Sequence, residues 1–381
     1  MKANHTVSPA SFSLGQARGI VKDLFRPSLA IYWTDFLASL FVGGICFVLV
    51  RRVFEPFSLG GIAAFVVCGL CYYRAVLFIH ELVHVRDNQF RAFSIAWNLM
   101  CGIPFLIPTF LYYIHIDHHM RKRFGTDDDG EYLPLGTQTP IHILIYLCQP
   151  FVIPVIAVVR FLILTPLCWV SPTLRTFVRR RASSMVMDPS FIRPLPTRKT
   201  MRIMRLQETA CFLWCAGVAA VLIAGIVPIG FLITAYLVAV FILFLNGIRT
   251  LGAHRYYNDG SEMTFLDQLL DSLNYPNHRF LSALWAPVGL RFHALHHLFP
   301  SMPYHNLERA HHRLMAELPA DSPYRMTVSP SLTAAMVDLW RRSRAAAQRA
   351  AAQRAAHASE RGASHGSPSM CDSDRSYTGA H

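Results

Sequence analysis

Three groups of histidines in this chain share a helical spacing. His80 and His84 stand four residues apart in His80-Glu-Leu-Val-His84. His115, His118 and His119 follow an i, i+3, i+4 pattern, and His293, His296 and His297 repeat it. Residues three and four apart lie on one helix face, so each group would project its imidazoles together. Imidazole suits iron, copper, zinc and nickel. Each group also sits where an apolar stretch meets polar sequence. One such group could be a set of hydrogen-bonded polar residues. Three in one chain point to metal. His254 joins them as a ninth candidate, because it ends the apolar run that carries Asn246-Gly-Ile-Arg249-Thr-Leu-Gly-Ala. Nine imidazoles are too many for one ion and suit two.

The elements that must position them are apolar. The chain is 53% hydrophobic and only 15% charged, with mean hydropathy +0.31. Soluble domains carry about 25% charged residues, so a membrane is the expected surrounding. The net charge of +13 does not point to nucleic acid. Its Lys and Arg lie mainly between apolar segments, as on the cytoplasmic side of a membrane protein. The cysteines lie mostly within apolar stretches and lack the spacing of a disulfide framework. Cys68-Gly-Leu-Cys71 falls inside an apolar run, where packing is its expected role. The first apolar run starts near Leu29, too late and too long for a cleavable signal peptide.

A membrane helix takes about 20 mostly apolar residues. Residues 29–50, 57–79, 209–227 and 229–248 qualify, the last two joined by a Gly225–Gly230 turn. Residues 94–114 and 141–170 are apolar but interrupted by prolines. Parity decides their fate. If all histidine groups share one site, the chain must cross the bilayer an even number of times between them. Residues 94–114 must then be re-entrant or interfacial, and residues 141–170 cannot span. The loop 171–206, rich in Arg, falls on the histidine side, which the positive-inside rule makes cytoplasmic. Arg51 and Arg52 fall on the far side, against that rule. The expected fold is therefore all-α and integral to the membrane. It has four transmembrane helices, re-entrant or interfacial helices, and a cytosolic helical cap over the histidines. Residues 1–28 form an N-terminal cytosolic segment, 29–320 the membrane domain, and 321–381 a helical and then disordered tail.

With these residues in view, the chain resembles the membrane fatty acid desaturase superfamily, which includes hydroxylases and carotenoid ketolases. The likeness rests on His80-Glu-Leu-Val-His84, His115-Ile-Asp-His118-His119 and His293-Ala-Leu-His296-His297. The flanks Arg249-Thr-Leu-Gly-Ala-His254-Arg255 and His297-Leu-Phe-Pro300-Ser-Met-Pro303-Tyr-His305 are similar to bacterial fatty acid desaturases. The resemblance covers roughly residues 29 to 318 and implies a non-haem pair of iron ions at the mouth of an acyl tunnel. It implies O2 as co-substrate and a lipid acyl chain as substrate, with desaturation as the expected outcome and hydroxylation or ketolation as alternatives. Glu81, Asp87, Asp117 and Asn246 are the nearest groups that could orient the ligands. The sequence holds no haem-binding, iron–sulfur or dinucleotide motif. Electrons would then come from a separate ferredoxin or cytochrome with its reductase, for which the basic loop is one docking surface.

Two other classes compete. His80-Glu-Leu-Val-His84 matches the H-E-x-x-H pattern of zinc proteases, in which the Glu is general base. That reading leaves both H-x-x-H-H groups unexplained. A metal transporter would place its sites near the membrane midplane, whereas these histidines lie at segment ends. His305, His311 and His312 sit in polar amphipathic sequence and are expected at the surface or a substrate entry. His142 and His278 carry no special expectation.

Overall fold

The computed structural model describes residues 12–55, 57–85 and 90–364, with side chains to residue 357. Four long helices dominate: α1 (Leu29–Arg52), α2 (Leu59–His84), α3 (Arg198–Ile223) and α4 (Gly230–Ala253). Among the described residues the only β pairing is isolated bridges. The all-α integral-membrane architecture expected from the sequence is the observed one.

The long helices start where the sequence supplies caps. Ser58 Oγ accepts from Gly61 N at 3.1 Å, and Thr197 Oγ1 accepts from Thr200 N at 3.3 Å. Their outer faces are apolar: Phe41, Ile45 and Val48 on α1, Leu213 on α3, and Ile233 and Leu237 on α4 are all exposed. Lipid is the solvent such a surface needs, and helices satisfy their backbone groups without water. Tyr32, Phe36, Phe78 and Phe93 knit α1 and α2 to the segment that follows.

The two ends of the bundle differ. Arg51 lies against the start of α4, where a Cβ on Gly230 would stand 2.7 Å from its guanidinium. Phe47 and Phe231 meet at 5.4 Å nearby. The end of α1 and the start of α4 are therefore level, as four spans require. His84 closes α2 and His254 follows α4 at the opposite end.

Residues 94–114 do not cross. The helix Arg91–Trp97 passes into a π turn at Asn98–Gly102, and a 3-10 turn follows at Thr109–Tyr112. Pro104 and Pro108 free backbone groups in between, and a polar knot compensates. Asn98 Oδ1 accepts from Thr109 N at 3.0 Å and from Gln207 Nε2 of α3 at 3.2 Å. Gln207 Oε1 accepts from Phe110 N at 3.1 Å. Irregular backbone at membrane depth is tolerated only with such protein partners.

Among the described residues five helices are long and apolar enough to cross a membrane, and Ile153–Val170 is the fifth. Its own contacts argue against a crossing. Arg160, near its midpoint, is buried; its Nε donates to Ala182 O at 2.7 Å and its Nη2 to Ser183 Oγ at 3.1 Å. It also pairs with Glu208, at the polar edge of the apolar part of α3. Ala182 and Ser183 follow the Arg-rich helix Pro172–Arg181, so the middle of the run is level with a surface loop. The parity argument reaches the same result.

Over the histidine end lies a helical cap. Ala17, Val21 and Leu24 pack with Leu295, Leu307, Ala310 and Leu314, and Tyr324 belongs to the same cluster. The N-terminal segment is thus part of the cap, and the cap continues past residue 320. The Ala- and Arg-rich C-terminal helix, expected to give way to a disordered tail from His357, runs from Leu332 to Ser364. The alanines between residues 345 and 356 favour helix there. The rest of the tail lies outside the described residues.

Single cysteines placed at exposed Thr137 and Thr173 of a cysteine-free protein should react with an impermeant maleimide from the same membrane face. Labelling from opposite faces would make Ile153–Val170 a span.

Candidate metal centre

The nine histidines converge at the end of the bundle in two groups. His80, His84, His115, His119 and His296 form one, and His118, His254, His293 and His297 form the other. Within each group the ligand-type atoms lie within 4.8 Å of one another. α2 contributes His80 and His84, and the residue after α4 is His254. The short helices His115–His118 and His293–Leu298 supply the rest, with His119 as the cap of the first. Each short helix divides its histidines between the two groups. His115 and His119, four apart, share one group while His118 joins the other. His293 and His297 share one while His296 joins the other.

The nitrogens face one another. Nε2–Nε2 separations are 3.0 Å for His115–His119, 3.2 Å for His119–His296 and 3.2 Å for His118–His254. They are 2.9 Å for His254–His293 and 3.1 Å for His293–His297. Two neutral imidazoles facing through Nε2 cannot both use their lone pairs on each other. Neighbouring nitrogens on one metal at about 2.1 Å would stand about 3 Å apart. His80 is buried with neither ring nitrogen hydrogen-bonded, a costly state unless a cation is its partner. The donor set fits two transition-metal ions.

Burial, and then the neighbouring histidines, lower the pKa of His115, His119, His293 and His297 well below the ordinary value. Burial does the same at His296. The neutral ring is the form that offers a lone pair to metal. His118 differs. Burial works against its charge, but Asp129 overcomes this and raises its pKa.

Carboxylates stand behind three rings. Asp129 Oδ2 lies 2.8 Å from His118 Nδ1, and Glu131 Oε2 lies 2.8 Å from His115 Nδ1. Asp271 Oδ2 lies 3.3 Å from His254 Nδ1, a nitrogen that also faces Ser272 Oγ at 3.3 Å. Such partners fix the tautomer that turns Nε2 toward a metal. Asp129 is itself held by Gly125 N at 2.9 Å and Glu131 N at 3.0 Å. Asp271 accepts from Tyr132 OH at 3.2 Å and Tyr257 N at 3.0 Å. Burial raises Glu131 to about 8.

These are not the groups that sequence reasoning chose. Asp117 points to Arg123, 2.6 Å away, because its neighbour His118 takes the inward face of the turn. Asn246 accepts from Arg249 Nε at 3.2 Å. Glu81 accepts from Tyr32 OH at 2.5 Å and Tyr304 N at 3.1 Å. It ties α1, α2 and the segment after the third histidine group together. This use of the carboxylate removes the general base that the protease reading needs. Asp87 lies outside the described residues. Asp129 and Glu131 sit in the polar turn around Asp127–Gly130 that reads as solvated in sequence. Its run of acids shortly after the second group was the one available signal.

The remaining histidines stay out of both groups. His305 Nε2 accepts from Ser28 N at 3.1 Å, and His311 Nδ1 lies 2.8 Å from Tyr324 OH. His312 is exposed, and His142 bonds to Thr139. His278 precedes a helix with φ 51°.

Comparison with known proteins converges on the same body. A family model described as fatty acid desaturase matches residues 56–328. A ceramide hydroxylase of Caulobacter vibrioides (strain NA1000 / CB15N) is 40% identical over 332 residues, 86% of this chain and 93% of that protein. No solved structure matches. The matched span contains all nine clustered histidines, and the chain belongs to the fatty acid desaturase family.

Proposed function

We propose that this chain is an O2-dependent lipid hydroxylase whose nine clustered histidines hold two iron ions. The observation that carries the metal is the division of the imidazoles into groups of five and four. The relative named ceramide hydroxylase supports hydroxylation over the desaturation expected from sequence. It also supports a ceramide-like lipid as substrate. Bound iron would use O2 to oxidise an unactivated C–H bond. The balance for hydroxylation is R–H + O2 + 2 e⁻ + 2 H⁺ → R–OH + H2O. The electrons come from an external ferredoxin or cytochrome with its reductase, and the metal groups face the cytoplasm.

The chain's own residues bind, orient and exclude. Asp129, Glu131 and Asp271 hold three rings in register. The cap residues Phe292, Leu295 and Leu298 are buried and keep water from one side. Hydroxylation and desaturation both begin with removal of one hydrogen, and they part on whether a second hydrogen or a hydroxyl transfer lies in reach. Sub-ångström placement of the carbon makes that choice.

Expression in a host with compatible electron donors, followed by lipid mass spectrometry, should show species heavier by one oxygen. Species lighter by two hydrogens would return the chain to desaturation. His118→Ala and His296→Ala, one from each group, should each abolish turnover and lower bound iron. Full activity in either variant removes that residue from the site. Asp271→Asn should weaken metal in the four-histidine group by about 10–100-fold. Iron titration of the purified protein should then resolve one weakened site and one unchanged.

A further inference from the structure

Arg249 is the one charged residue in α4, GFLITAYLVAVFILFLNGIRTLGA. It is 7% exposed, and it precedes His254 by five residues, about 7 Å along a helix. Its hydrogen bonds stay on its own helix: Nε donates to Asn246 Oδ1 at 3.2 Å and Nη2 to Thr250 Oγ1 at 2.9 Å. Among the described residues no carboxylate lies within ion-pair distance of it. Four elements meet around it. Tyr73 of α2, Tyr112, Tyr146, His293 and His296 lie near enough to feel its charge, and the Tyr73 hydroxyl donates to Trp285 O at 3.1 Å. Glu131 feels it too, outside ion-pair distance: its Oε2 faces His115 Nδ1, and its buried Oε1 makes no hydrogen bond.

A buried cation without a countercharge is expensive, most of all beside two expected dications. Intramembrane charge marks function by default. A guanidinium has five N–H donors and no acceptor. It cannot serve a hydrocarbon tail, but it can serve the oxygens of a lipid head. We propose that Arg249 anchors carbonyl or hydroxyl oxygens of the lipid head beside the metal groups. The proposal rests on the lipid substrate argued above. Its consequence is regiochemical: the oxidised carbon lies within a few bonds of the head, not in mid-chain.

Binding is measured on detergent-solubilised, iron-loaded protein held without O2 and without electron donor, with a fluorescent short-chain ceramide and with a fluorescent alkane of equal chain length. Arg249→Gln should weaken ceramide at least tenfold, equivalent to about 1.4 kcal/mol, and leave the alkane unchanged. Arg249→Lys keeps the charge but loses the planar fork, and should fall between. In the iron-loaded enzyme, Arg249→Lys should raise KM for ceramide and spread the oxidised position over several carbons, read by fragmentation mass spectrometry, with iron content unchanged. Wild-type ceramide affinity in Arg249→Gln overturns the proposal. If that variant does not fold, wild-type affinity and a single oxidised position in Arg249→Lys overturn it equally. A wild-type product lighter by two hydrogens would defeat the hydroxylase reading alone, because the binding comparison does not depend on which product forms.

Discussion

Nine imidazoles drawn from residues 80 to 297 must meet at one end of a helix bundle, and the rest of the structure follows from that demand. Most of these rings are deeply buried, and their nitrogens face each other at about hydrogen-bond distance. Burying unsatisfied polar groups costs of order 1–3 kcal/mol each. A cluster of this kind is tolerable when cations fill it. The fold therefore positions the site, and the site in turn makes the packing of the cap sensible.

The demand shapes the topology. Helices α2 and α4 end at the histidine face because even parity admits no other arrangement. The segments 94–114 and 141–170 are apolar enough to attract the bilayer, and even parity would return each to the face it left. Prolines, π turns and 3-10 turns interrupt them, and side chains repair the broken backbone. Asn98, Thr109 and Gln207 perform that repair in one segment, and Arg160 with Ser183 and Ala182 in the other. An Arg at the centre of an apolar run looks costly in sequence. In the fold it is a clasp onto a loop.

What was legible and what was not divide along one physical line. Ligand spacing is a local property of helices, so all nine metal candidates could be read from residue types and intervals. The expectation of four spans came from the same residues through parity, against five helices long and apolar enough to cross. The carboxylates behind the rings depend on the path of a loop, which no local period encodes. Asp129 lies 11 residues from His118, and Glu131 lies 16 from His115. Asp117 and Asn246 were chosen for nearness in sequence, and each instead serves a nearby arginine, Arg123 or Arg249. Glu81 sits between two metal candidates, yet the helical turn carries its side chain to Tyr32. Adjacency along a helix is about 100° of rotation, so the neighbour of a ligand tends to face elsewhere.

The charge arrangement gives the site its character. Among the described residues no carboxylate belongs to either histidine group. Asp129, Glu131 and Asp271 instead stand on the far side of imidazoles, at Nδ1, and reach the centre only through a ring. Neutral donors leave much of a dication's charge uncompensated, while the carboxylates hold the rings and raise their basicity from a distance. Arg249 adds a further positive charge at the membrane-facing edge. A centre built this way is short of anions, and lipid oxygens with lone pairs suit it. The same electrostatics that make the nine-histidine cluster hungry for metal thus favour a lipid with a polar head held close to it.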